Sequence, residues 1–308
     1  ALADEGMTVE VVTSRLSYSD TDTRYPARET QGGVAIHRVA TTGFGRAGTL
    51  GRAADLLSFY LSACWRVLRM AGKDDVVVVK TDPPLLSVPM RWVAKARGAR
   101  QVNWLQDVYP EVAARLGMRL FDGPLGTLLA RMRDGSLKAS AMNVAIGQRM
   151  AEMLRSAGVG HEKVAIIPNF VDDNAIRPLD AAANPLRREW GYDARHFVVG
   201  YSGNLGKAHD LDTLVGAAEI LLSSGRGNIR FLFVGGGALR ERLDREIAAR
   251  GLTNIDLKPY QPRERLSESL TVPDIHWMTL RPALEGLIVG SIAGVLPGTK
   301  SLLYRLFR

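Results

Sequence analysis

Two glycine-rich stretches hold the residues that could do chemistry. A run of Phe197, Val198, Val199 and Tyr201, with the composition of a buried parallel strand, meets a glycine turn at Ser202-Gly203 and then a helix. In Gly203-Asn204-Leu205-Gly206-Lys207, the two glycines free the backbone to turn and to approach a ligand. Asp210 or Asp212 stands where the helix needs its N-cap. Strand, turn and helix start predict an anion cradle, in which unpaired backbone N–H groups and the positive helix end favour phosphate. Lys207 adds a full charge. Gly235-Gly236-Gly237, after the strand Arg230 to Val234, predicts a second turn of phosphate size. In the first half, Asp82 and Asp107 fall at strand ends, where ligands sit in doubly wound sheets. An Asp there can cap a helix or serve as an acid–base group.

The elements around these residues alternate strand and helix twice over. Ala1 to Gly6 reads as the end of a helix with its glycine cap, followed by a strand through Val9, Val11 and Val12 to Thr13-Ser14. If the fold is doubly wound, the first strand, its glycine loop and most of the first helix are expected to be missing before Ala1. Residues 15–33 read as polar and turn-rich, and Val34 to Val39 as a strand. Apolar residues at helical spacing predict a helix from Thr49 to Met70. Asp75 to Lys80, with four consecutive valines, predicts a fully buried parallel strand. A helix over 85–97, Gly98, and a strand Gln101 to Leu105 follow. Residues 112–138 mix Arg115, Arg119, Arg131, Arg133 and Lys138 with leucines and methionines, a pattern that can lie on anionic lipid or form an ordinary surface helix. Strands at Asn143 to Ile146 and Val164 to Pro168 flank a helix from Gln148 to Leu154. Pro178, Pro185 and aperiodic polar residues over 172–188 predict an interdomain linker. Beyond the cradle come a helix Leu239 to Arg250 closed by Gly251, a strand Ile255 to Leu257, a helix opened by Pro262, and a strand Asp274 to Leu280.

Composition bounds the function. The 308 residues, 46% hydrophobic, suffice for two ordinary cores, with boundaries expected at 1–171 and 172–308. The single cysteine, Cys64, rules out an internal disulfide framework. The five histidines are scattered and show no zinc-ligand spacing. No apolar run reaches the roughly 18 to 20 residues of a spanning helix. The net charge of +8 is uneven: residues 1–170 hold 22 Lys/Arg against 16 Asp/Glu, net +6, and residues 171–308 hold 18 against 16, net +2. An excess in the first half suits an anionic surface, or a solvated basic face.

The order and spacing of NWLQDVYPE at 103–111, IPNFVD at 167–172, GYSGNLGKAHDLDTL at 200–214, FLFVGGG at 231–237, KPYQPRERLSESL at 258–270 and DIHWMTLRPALEGLIV at 274–289 resemble the glycosyltransferases of family four. Within that family they are similar to the bacterial branch that builds exopolysaccharide and capsule repeats. The resemblance implies an α/β fold of GT-B type, with two Rossmann-like doubly wound parallel-sheet domains facing a cleft, both incomplete here. It implies sugar transfer from a nucleotide sugar to a hydroxyl of a lipid-linked saccharide, at the cytoplasmic face of the membrane, in contact with anionic lipid. Neither a metal, another cofactor nor a nucleic acid is implied. Position by position, Gly203, Asn204, Leu205, Gly206 and Lys207 would hold the donor diphosphate with Gly235. Backbone around Lys258, Pro259, Tyr260 and Gln261 would meet the nucleobase. Glu285, Gly286 and Leu287 would face the donor sugar, with Glu285 catalytic. Asp107 would be the acceptor-side base. Retention at the anomeric centre is the family's usual outcome.

The chain departs from the family pattern after Val289. Gly290-Ser291-Ile292 stands where a Pro-Ser-Lys type helix start belongs, and Ala293 where many relatives carry a second glutamate. The expectation is a fragment or a frameshifted product. Two other readings stay open: a non-catalytic remnant, and a nicotinamide-dependent oxidoreductase. The latter would want G-x-G-x-x-G and an acid at the end of the next strand; here the spacing differs and that strand ends in Gly235.

Overall fold

The structure is a computed structural model that describes residues 2–16, 23–44, 49–169, 176–284 and 287. The chain divides into two units, one of residues 1–114 and 118–167, the other of 115–117 and 168–308.

The first unit opens on a glycine-capped turn. The Gly6 N–H donates to Ala3 O (3.0 Å) and the Met7 N–H to Leu2 O (3.2 Å), with Gly6 at φ +80°, the Schellman pattern of a helix end. Strands β1 (Glu10–Ser14), β2 (Arg28–Gln31) and β3 (Val34–Val39) form a three-stranded sheet in the order β1-β3-β2. β1 and β3 are parallel, while β2 forms an antiparallel hairpin with β3 across Gly32-Gly33, both at positive φ. β2, Arg-Glu-Thr-Gln, lies inside the stretch expected to be only turns. It has no apolar alternation to announce it, because it is an exposed edge strand.

Helix α1 (Thr49–Met70) leads to strand β4 (Val76–Lys80), then α2 (Ser87–Arg97), β5 (Arg100–Trp104), α3 (Glu111–Arg115), α4 (Pro124–Ala139), β6 (Met142–Ala145), α5 (Gln148–Ser156) and β7 (Val164–Ile166). The sheet β4-β5-β6-β7 is parallel throughout. Its β4 is not fully buried as the valines predict: Val76 and Val78, which share one face, are 51% and 54% exposed, while Val79 on the other face is buried. The face carrying Gln101, Asn103 and Asn143 is buried but polar. Gln101 Nε2 donates to Asn103 Oδ1 (2.7 Å), Asn103 Nδ2 to Asn143 Oδ1 (2.9 Å), and Asn143 Nδ2 to Leu137 O (3.0 Å). The ladder ties β5 to β6 and to the end of α4, and each buried amide that it satisfies would otherwise cost about 1–3 kcal/mol.

The basic segment 112–138 folds as α3 and α4, and its arginines do not share one role. Arg133 turns inward, donating to Glu111 Oε1 (2.8 Å) and Tyr109 O (2.8 Å), while Leu128 and Met132 stay exposed.

The second unit holds α6 (Pro185–Glu189), β8 (Phe197–Asn204), α7 (Leu211–Ser223), β9 (Ile229–Gly236), α8 (Arg240–Arg250), β10 (Ile255–Lys258), α9 (Leu266–Thr271) and β11 (Ile275–His276). Its sheet, β10-β9-β8-β11, is parallel. Alternate strand residues serve opposite cores. Phe231 and Phe233 join Leu211, Leu214, Val215 and Leu243 under α7 and α8, whereas Val198, Leu232 and Val234 join Leu186, Tyr192 and Val272 on the other face. The fold is therefore doubly wound, as expected.

Three boundaries differ from expectation. The proposed linker 172–188 ends inside the second unit's core: Asn184 caps α6 by accepting from Leu186 N (2.9 Å) and Arg187 N (3.2 Å), and all three residues are buried. The strand expected from Asp274 to Leu280 closes at His276, since Trp277 turns onto the rings of Tyr201 (6.1 Å) and Phe233 (6.2 Å). Pro262 opens a 3-10 turn, Arg263–Arg265, and only then α9.

Candidate functional site at the carboxyl ends of two strands

β8 does not stop at Ser202. It runs to Asn204, with Gly203 opposite Gly235 and Asn204 opposite Gly236, so the first two residues of the expected turn, and two of the three glycines of the second, are strand residues. The reason is close approach. A Cβ on Gly235, at φ +128°, would overlap the Gly203 carbonyl oxygen and come within 3.0 Å of the Tyr260 ring. One on Gly237, at φ +129°, would overlap Asn204 Oδ1. Glycine is needed at both because backbone crosses backbone.

The loop proper therefore begins at Leu205, and part of it is already satisfied. Leu205 is buried in the core; its N–H donates to Gly236 O (2.7 Å) and its carbonyl accepts from Leu239 N (3.0 Å). The Gly206 N–H donates to Asn204 O (2.8 Å). Neither is the unpaired donor that the sequence predicts. Among the described residues, the N–H groups of Lys207 and Ala208 have no acceptor, and the exposed Lys207 ammonium has no ion-pair partner. These are the groups left to meet an anion.

The loop is held from two sides. Arg281 N donates to Ala208 O (2.9 Å), Asp210 N to Thr279 Oγ1 (3.2 Å), and Thr279 Oγ1 back to Asp210 O (2.9 Å). His209 Nδ1 lies 2.9 Å from Thr279 O, which makes it the donor, and Nε2 lies 3.0 Å from the Tyr201 hydroxyl. Tyr201 also reaches Asn204 O at 2.9 Å. Burial, with Tyr260 nearby, pushes the Tyr201 phenol up to about 12, so it stays a neutral donor. Of the two candidates, Asp210 and Asp212, it is Asp210 that caps α7, accepting from Thr213 N (3.4 Å) and from Thr213 Oγ1 (2.5 Å).

The Tyr260 ring lies close beside Gly235 and Gly236, with 60% of the residue's surface exposed. The side chains beside it point elsewhere. Lys258 Nζ sits 5.6 Å from the Trp190 ring centroid, and Gln261 Nε2 donates to Pro259 O (3.1 Å). Arg240, which the sequence did not single out, donates to Gly235 O at 3.1 Å from the first turn of α8. Its position just after a Gly-Gly-Gly strand end was the available signal. His209 was likewise passed over, as one of five scattered histidines. Leu287 is buried; Glu285 and Gly286 lie outside the described residues.

Asp107 belongs to the first unit, just beyond β5. Thr81 Oγ1 accepts from Gln106 N (2.9 Å) and Asp107 N (3.3 Å), which joins the ends of β4 and β5. Burial, and then the charge of Asp82, pushes the Asp107 carboxyl above its ordinary range. Such a carboxylate is a better proton acceptor than a solvated one. Among the described residues, no group of three or more His, Cys, Asp or Glu side chains could hold a metal ion.

The second unit thus offers two backbone donors and an ammonium without partners among the described residues, a guanidinium and an exposed aromatic ring at the carboxyl ends of parallel strands. That combination can bind a phosphate-bearing aromatic ligand.

Residues 1–169 match the model of the glycosyl transferase 4-like domain. The chain is 26% identical over 307 residues to WcaI of Escherichia coli K12, named as a glycosyl transferase of colanic acid biosynthesis, covering 96% of this chain and 74% of that one. In fold it is similar to sucrose-phosphate synthase from Thermosynechococcus elongatus, with a TM-score of 0.66 at 15% identity over 93% of this chain and 70% of that one. It is also similar to Anabaena HepE, solved with UDP-glucose, with a TM-score of 0.57 at 17% identity over 80% of this chain and 60% of that one. With more than half its length in the family model and two doubly wound units of the GT-B kind, the chain belongs to the family-four glycosyltransferases.

Proposed function

We propose that the protein transfers a sugar from a nucleotide-sugar donor to a hydroxyl of a lipid-linked saccharide during synthesis of a cell-surface polysaccharide. The observation that carries this reading is the close glycine pairing at the ends of β8 and β9, with the Lys207 and Ala208 N–H groups, which have no acceptor among the described residues, at its edge and Tyr260 beside it. WcaI is named for a polysaccharide pathway and HepE was solved with UDP-glucose, which supports both the product class and the donor class.

In this reading the diphosphate sits at Lys207 and Ala208, and the base stacks on the exposed ring of Tyr260. Negative charge develops on the leaving diphosphate as the glycosidic bond breaks. Lys207 and the two N–H groups meet that charge, which is the largest contribution available here. The reading assigns this to the chain's own groups, without a resident metal or cofactor. Asp107 is assigned to the acceptor hydroxyl, its raised affinity for a proton fitting it to take one. Glu285 keeps the donor-sugar role that the family pattern implies. The acceptor's lipid anchor puts the reaction at the cytoplasmic face of the membrane. No helix among the described residues is long and apolar enough to cross one.

Calorimetric titration with UDP, GDP and NAD tests the donor site. A nucleoside diphosphate is expected to bind, and Lys207→Ala to weaken it about tenfold, the loss of one charge-assisted contact of about 1.4 kcal/mol. A response to NAD alone would overturn the reading in favour of an oxidoreductase.

A further inference from the structure

His209 ties the donor-site loop to the segment 277–281, and its bonds are complete in only one protonation state. Thr279 O, 2.9 Å from Nδ1, can only accept, so Nδ1 carries a proton. Nε2 lies 3.0 Å from the Tyr201 hydroxyl, which itself lies 2.9 Å from Asn204 O. That carbonyl too can only accept, and a phenol has one proton to give. With a neutral ring, the Tyr201 proton serves either Asn204 O or Nε2, and the remaining contact sets lone pair against lone pair. With an imidazolium, Nε2–H donates to the phenol oxygen, the phenol donates to Asn204 O, and every contact is a hydrogen bond.

The charged ring stands beside the anion site. Ala208, whose N–H has no acceptor among the described residues, is its neighbour in the chain, and Lys207 comes just before. On the same loop Lys207 is exposed, and the Asp210 carboxylate is taken up by Thr213 N and Oγ1. At the start of α7 the Asp212 carboxylate pairs with Arg242. On β8 the Tyr201 phenol is neutral, pushed up to about 12 by burial and by Tyr260 nearby. The facing segment carries Arg281 as its one charged residue, and His276 of β11 is turned to Leu270 O. Among the described residues no carboxylate bonds to the His209 ring, so a bound diphosphate is the counter-charge at hand.

We infer that His209 is a positioning residue for sugar transfer, its imidazolium form locking the Lys207–Ala208 loop to the segment 277–281, so that binding of the donor diphosphate takes up a proton. The inference rests on the donor reading and deepens it. Thr279 stands a few residues before Glu285, so one ring joins the loop assigned to the diphosphate to the stretch that leads to the carboxylate assigned to the donor sugar.

Calorimetric titration with UDP-glucose across pH tests it. Both phosphates of this probe are esterified and exchange no proton between about pH 5 and 8, the range in which histidine changes charge. An anion that favours the imidazolium binds more tightly as pH falls. Affinity is expected to rise about fivefold through that range, a modest coupling, and the binding heat near neutrality to differ between buffers of low and high ionisation enthalpy, as proton uptake requires. His209→Gln can bond Thr279 O or Tyr201 but gains no charge. It should match the wild type at about pH 8, show no rise on acidification and take up no proton, while Asp107 titrates alike in both proteins. Should that variant misfold, nitrogen NMR of the wild-type complex decides, with both nitrogens of His209 expected to carry protons. A flat wild-type affinity without proton uptake, a rise that His209→Gln keeps, or a singly protonated ring in the complex would overturn the inference and leave the donor reading intact. Absence of UDP-glucose binding at every pH would overturn both.

Discussion

At the scale of single residues, the site rests on glycines that are absent side chains rather than hinges. Gly235→Ala places a methyl group into the Gly203 carbonyl at a φ of +128°. The expected cost is about 2–4 kcal/mol, overpacking added to backbone strain, read as a fall in the denaturant midpoint. Asp107 predicts a pH effect. Its folded carboxyl is raised above the ordinary 3.8, so the stability tied to its neutral form is complete below that value and is lost as pH rises through the folded one. Asp107→Asn should therefore be more stable than wild type at pH 7, the gain shrinking as pH falls to 3.8, measured by melting temperature across that range. Gly203, Gly235 and Lys207 stand out in the sequence because glycine and charge are legible one residue at a time. The sequence does not show that Leu205 spends its N–H on Gly236 O across the sheet and Gly206 its own on Asn204 O two residues back, since neither a distant strand partner nor a tight local turn changes the residue types. His209 escaped because its acceptor, Thr279 O, is far along the chain.

At the scale of elements, the second unit is clamped by one buried ion pair. Arg187, 7% exposed and on a five-residue helix, donates to Asp274 Oδ2 (3.1 Å) and His196 O (3.0 Å) and also reaches Val272 O, while Asp274 Oδ2 accepts from Val198 N (2.6 Å). α6 is thereby fixed to the starts of β8 and β11. Arg187→Leu leaves the Asp274 carboxylate, 27% exposed and still bonded by Val198 N, without its cation, and urea unfolding should show a loss of about 1–3 kcal/mol. This clamp sits where polar, proline-bearing sequence predicted a linker. Burial of Asn184 and Arg187 shows why: a polar residue that is fully bonded can line a core, and composition alone reads it as solvent-facing. Parallel strands were the most legible elements, their consecutive apolar residues needing cover on both faces. The hairpin strand β2 and the two-residue β11 were not, being too short and too polar to carry a period.

At the scale of the whole molecule, two units with separate cores predict that a ligand of one stabilises that one. UDP at about a hundredfold its dissociation constant should add about 2.7 kcal/mol to the unit carrying Lys207, seen in calorimetry as an upward shift of one transition while the other stays in place. The division into two α/β halves was readable from the repeated strand and helix alternation. That β4 pairs only with β5 among the described residues was not, because four valines announce a strand without saying how many neighbours it has. That rim carries a practical consequence. Among the described residues its outer amide groups have no strand to pair with, and Lys80 closes it with one positive charge. Concentrated solutions should thicken by stacking through these valines, and dilution or salt-poor buffers would keep the preparation clear.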